Sequence, residues 1–88
     1  ATLIEIAPGT WTVRFENFSV RNGPDLYVYV SPHAGGYADT AIELGQIKAT
    51  EGNFNMDLPA GADPSGSASV VIWCKQFAVQ FAVAPLGT

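Results

Sequence analysis

The side chains with the most chemical scope in this chain of 88 residues are among its rarest: one cysteine, one histidine, one methionine and two tryptophans. Cys74 directly follows Trp73 in the run Val70-Val71-Ile72-Trp73-Cys74-Lys75. A thiol can act as nucleophile, redox group or ligand, and its thiolate form does that chemistry. A single cysteine cannot close a disulfide within the chain, so the sulfur is free, bridged to a second chain or liganded. Thiolate, imidazole and thioether each serve as an axial ligand to haem, and Cys74, His33 and Met56 supply one of each. No Cys-x-x-Cys-His attachment motif accompanies them. A Cys–His nucleophilic pair would have to recruit His33, which lies in a loop with no second histidine to help. Blue copper needs two histidines and a cysteine, and structural zinc needs four cysteine or histidine ligands, so both fail by counting. Asp25, Asp39, Asp57 and Asp63 lie in or beside loops where they could gather calcium, without the spacing of an EF-hand. Solvated turn carboxylates are the plainer account of them, as core packing is for Met56 and a solvated loop for His33.

These groups must be positioned by strands. Apolar residues alternate with a period of two along nearly the whole chain, and turn residues interrupt the pattern every eight to twelve residues or so, the mark of sandwiches and barrels. After Pro8-Gly9, Trp11, Val13 and Phe15 alternate with Thr12, Arg14 and Glu16. The turn cluster Asn22-Gly23-Pro24-Asp25 opens a strand over residues 26–30 with Leu26, Val28 and Val30 on one side and Tyr27 and Tyr29 on the other. Bulk on both sides predicts a central strand. Residues 31–40, with Pro32, Gly35 and Gly36, read as a mobile loop carrying His33. Ile42, Leu44 and Ile47 predict a strand bulged at Gly45, paired as a hairpin with the strand of Phe54, Met56 and Leu58.

Residues 59–67 hold no bulky side chain and are expected to cross the surface. Two closing strands, over residues 69–75 and 77–84, meet at Gln76. In the first, Cys74 shares its face with Val70 and Ile72, whereas Val71, Trp73 and Lys75 face the other way. That phase makes Cys74 either a buried small hydrophobe or a shielded redox group, and Lys75 is aimed wrongly to create a thiolate. In the last strand, bulky Phe77, Val79, Phe81 and Val83 alternate with Ala78, Gln80, Ala82 and Ala84. The small side is either a weakly hydrophobic exterior or a shallow surface for a planar ligand or partner sheet.

The expected fold is therefore all-β, a compact antiparallel sandwich or flattened barrel of about seven strands with no substantial helix, forming a single domain over residues 1–88. Hydrophobic residues make up 48% of the chain and charged residues 14%, the reverse of a disordered composition. Its net charge of −4 comes from scattered residues, which offers no footprint for a nucleic acid. No apolar run approaches the ~20 residues of a membrane span. Beginning at Ala1, the chain is expected to be a trimmed product or an excised domain.

Asn22-Gly23-Pro24-Asp25-Leu26-Tyr27-Val28-Tyr29-Val30-Ser31 and Val70-Val71-Ile72-Trp73-Cys74-Lys75-Gln76-Phe77 together resemble the DM-thirteen domain, the Skeletor-type electron-transfer module often found beside DOMON domains. The stretch Leu44 to Asn53, the step Leu58-Pro59 and the ending Phe81 through Leu86 extend the likeness over residues 10–86. The resemblance implies an extracellular, secreted or membrane-tethered β domain, located outside the cell or in the periplasm, a redox partner of DOMON type, and a cysteine that works as bare thiol or as ligand to a prosthetic group such as haem. On this reading Cys74 is the operative group, with Trp73 shaping its pocket and Met56 and His33 as further cofactor contacts. Independent enzymatic turnover is not expected. The alternative is a secreted binding or structural module, non-catalytic and open to calcium, in which Cys74 only packs. A buried thiol in either role predicts that Cys74→Ser costs about 1 to 3 kcal/mol, because the new hydroxyl would be buried without a partner. Denaturant unfolding measures this, and a loss within error would place the thiol at the surface.

Overall fold

The computed structural model describes residues 1–87. Seven strands form two antiparallel sheets: β1 (Thr2–Ala7), β2 (Thr10–Ser19), β3 (Leu26–Ser31), β4 (Ile42–Gln46), β5 (Glu51–Asp57), β6 (Ser69–Cys74) and β7 (Val79–Pro85). One sheet has the order β1-β2-β5 and the other β4-β3-β6-β7. The two stack as an open sandwich rather than a closed barrel, and no described residue is helical.

The central place expected for β3 follows from its two apolar sides. It pairs with β4 on one edge and with β6 on the other, in the unbroken register Leu26↔Cys74 to Ser31↔Ser69. Residues directly opposite share a face, so Leu26, Val28 and Val30 join Val70, Ile72 and Cys74 in the core, against Leu3, Val13, Phe15, Met56 and Leu58 of the other layer. Gly45, at φ 115°, takes a backbone conformation closed to most side chains, and the β3–β4 register slips there as the sequence predicts.

Three expectations are corrected. β4 and β5 do not form a hairpin: β4 pairs with β3, and β5 crosses to β2. Aromatic packing draws β5 there, for Phe54 stacks on Phe15 at 4.7 Å and meets Phe18 edge-on at 5.5 Å. A bulge in β2 between Phe15 and Phe18, where Asn17 has φ 50°, restores the parity that puts both rings on one side. In β7, a register slip between Ile72 and Trp73 places Ala82 and Ala84 opposite Ile72 and Val70, facing the core. The small side of that strand is thus no open surface for a ligand, and Phe77 lies in the preceding turn. Residues 32–40 are tied down rather than loose: Ser31 Oγ donates to the Gly36 carbonyl at 2.6 Å, Ser69 Oγ to the His33 carbonyl at 2.5 Å, and the Tyr37 amide to Gln80 Oε1 at 3.1 Å.

In β2 the hydroxyl of Thr12 is buried and has no hydrogen-bond partner among the described residues. An unpaired buried hydroxyl opposes folding, whereas an apolar group of the same shape does not. Thr12→Val is expected to stabilise the domain by about 1 kcal/mol. A higher midpoint in thermal or denaturant unfolding checks it.

Candidate functional site

Cys74 ends β6 with 0% of its surface exposed. Strand alternation turns its side chain inward with Val70 and Ile72, and its register partner Leu26 closes the other side. Lys75, next in sequence, lies over the opposite face, where its ammonium is 4.0 Å from the centre of the Tyr27 ring and 2.7 Å from Glu43 Oε1. Cys74 therefore has neither the exposure nor the adjacent cation that makes a thiol reactive.

The other three residues singled out with Cys74 do not join it in one site. Met56 of β5 is buried in the same apolar core, contributed by the facing sheet. His33 is exposed and sits past the Ser31↔Ser69 end of the β3–β6 ladder. Cys74 is at the other end, five residue steps away, or roughly 17 Å at strand spacing. Trp73 points outward. Cavities of about 310 Å³, bordered by Asn22, Pro24, Leu26 and Lys48, and of about 170 Å³, bordered by Leu3, Trp11 and Asp63, are lined by none of the four. A haem needs its axial ligand at the wall of an open pocket. A thiol sealed between packed aliphatic side chains does not meet that need, so these residues do not fit the group. Nor do three His, Cys, Asp or Glu side chains converge anywhere among the described residues, and the four loop aspartates form no calcium cluster.

The outer face of the four-stranded sheet holds a different constellation. Pairing of β3 with β6 sets Tyr27 beside Trp73 and Tyr29 beside Val71, and β4 adds Glu43 next to Tyr29. Tyr37 reaches over from the tied loop to stack on Trp73, with centroids 4.5 Å apart and planes 23° apart, and it meets Tyr29 edge-on at 5.2 Å. A Cβ on Gly36 would overlap the Gln80 amide that anchors this loop, so glycine is needed just before Tyr37. The Tyr29 hydroxyl donates to Glu43 Oε1 at 3.1 Å. The hydrogen bond from Lys75 holds the Glu43 carboxyl below the usual range, and the same contact raises the Lys75 pKa. Burial, reinforced by Glu43, raises that of the Tyr29 phenol.

Part of this face was visible in the sequence, since alternation places Tyr27 and Tyr29 on one side of β3, and Trp73 and Lys75 on one side of the strand expected over residues 69–75. Only the pairing of the two strands merges those sides. Tyr37 left no signal, because it belongs to a stretch without period.

Residues 2–86 match the family model described as electron transfer DM13, in agreement with the resemblance carried by the two strand motifs. No curated protein and no solved structure matches the chain. With β1 through β7 all inside the matched span, the chain belongs to the electron transfer DM13 family.

Proposed function

We propose that this chain is an extracellular electron-transfer accessory domain that meets its redox partner through the aromatic outer face of the four-stranded sheet, with Cys74 serving the core. The stacked pair Tyr37–Trp73 carries this reading. Electronic coupling falls steeply with distance, so an electron leaves a protein through conjugated groups near its surface. Tyr37 is 39% exposed and in ring contact with Trp73. Aromatic side chains are also favoured at interfaces, and redox encounters are typically small, under about 1,200 Å² of buried surface. A patch of a few rings edged by Glu43, Lys75 and Gln80 suits such a brief contact. The extracellular setting and a DOMON-like partner are what the family resemblance implies for such a domain.

The sealed thiol favours a second reading, a non-catalytic binding module that uses the same face without exchanging electrons. Stopped-flow oxidation of the purified chain by hexachloroiridate(IV), a one-electron oxidant, separates the alternatives. Cys74→Ala is expected to react at the wild-type rate, whereas Trp73→Leu and Tyr37→Leu react much more slowly. Loss of reaction in Cys74→Ala would return the redox role to the thiol. Equal rates in all four proteins would favour the binding module.

A further inference from the structure

Among the described residues Tyr29 has the one phenol hydrogen-bonded to a carboxylate, and it stands at the buried end of a continuous series of rings. Tyr37, at 39% exposed, touches both Trp73 and Tyr29, and Tyr29 itself is only 7% exposed. Its hydroxyl points to Glu43 Oε1 at 3.1 Å, and Lys75 Nζ lies 2.7 Å from the same oxygen. Removing an electron from a phenol makes its O–H strongly acidic, so the oxidation proceeds readily where a base takes the proton as the electron leaves. Glu43, held ionised by Lys75, is such a base. The neighbouring rings are less well served. No acceptor is bonded to the Tyr37 or Tyr27 hydroxyl or to the Trp73 indole N–H among the described residues, and the Lys75 ammonium over the Tyr27 ring opposes positive charge there.

Building on the reading that a redox partner meets this face, we infer that Tyr29 is a proton-coupled radical site, in which an oxidising equivalent entering at Tyr37 and Trp73 comes to rest. The oxidant required is a strong one-electron acceptor, such as a ferryl haem or another metal-oxo or radical species on the partner. It takes one electron from the Tyr37–Trp73 pair and is reduced by one. Tyr29 returns one electron to that pair. Its O–H bond breaks, the proton forms a new O–H bond at Glu43 Oε1, and a neutral phenoxyl radical remains. The buried ring then holds the radical away from solvent, and Lys75 lies beside the carboxyl that has gained the proton.

Flash oxidation of the full chain by photogenerated ruthenium(III) tris-bipyridine, with persulfate as the terminal acceptor, followed by freeze-quenching and electron paramagnetic resonance, tests the assignment. The wild type is expected to give a neutral tyrosyl signal that Tyr27→Phe leaves intact and Tyr29→Phe abolishes. Glu43→Gln keeps the contact but cannot accept a proton, and it should lower the tyrosyl yield about tenfold or more. Because Glu43 is exposed, this variant decides the matter even if Tyr29→Phe folds poorly. A tyrosyl signal that survives Tyr29→Phe, or one indifferent to Glu43→Gln, would overturn the assignment while leaving the aromatic face as the redox surface. Absence of any aromatic radical in the wild type would remove both.

Discussion

The register of β3 against β6 decides what the domain shows to solvent and what it hides. Six consecutive pairs, from Leu26↔Cys74 to Ser31↔Ser69, lock the two most apolar strands side by side. Side chains on a strand alternate between faces, so a slip of a single residue would exchange the two populations wholesale. In the observed register, aliphatic side chains and the thiol fill the space between the sheets, and two tyrosines and a tryptophan line the outer surface. Burial of the aliphatic row drives the arrangement, since each large apolar side chain removed from water contributes about 1.5 to 3 kcal/mol. The aromatic face is a consequence of that choice as much as a feature in itself.

The sequence revealed those elements whose pattern is local. The period of two, the turn cluster before Leu26, the bulge at Gly45 and the inward phase of Cys74 all follow from neighbouring residues, and the structure has each of them. Features that depend on distant packing were hidden. Partner choice for β5 rests on the Phe15–Phe18–Phe54 cluster, whose members lie up to 39 positions apart in the chain. The phase of β7 depends on a bulge that no residue type announces. The loop over residues 32–40 reads as mobile because it has no period, yet Ser31, Ser69 and Gln80 bind it from three different places in the chain.

The same distinction runs through the site. Rarity directs attention to Cys74, His33 and Met56, but the fold distributes them between a closed core and an exposed loop at the far end of the ladder. Trp73 belongs with Tyr29 and Tyr37, and with the ion pair of Glu43 and Lys75, a group drawn from β3, β4, β6, the loop before β4 and the turn after β6. Membership of an electron-transfer family is what makes that assembly the proposed redox surface. It joins exposed Tyr37 and half-buried Trp73, stacked on each other, to a buried phenol that donates to a carboxylate, all on one side of the sheet. The thiol on the reverse of β6 is separated from it by the sheet itself.

Thiol reactivity in the native protein tests this division most directly. With Cys74 sealed by the β3–β6 register, a water-soluble aromatic disulfide reagent should release no thiolate from the folded domain and one equivalent once denaturant unfolds it. Rapid, stoichiometric reaction of the folded domain would mean that the sulfur faces solvent, contradicting the register and the assignment of redox chemistry to the aromatic face.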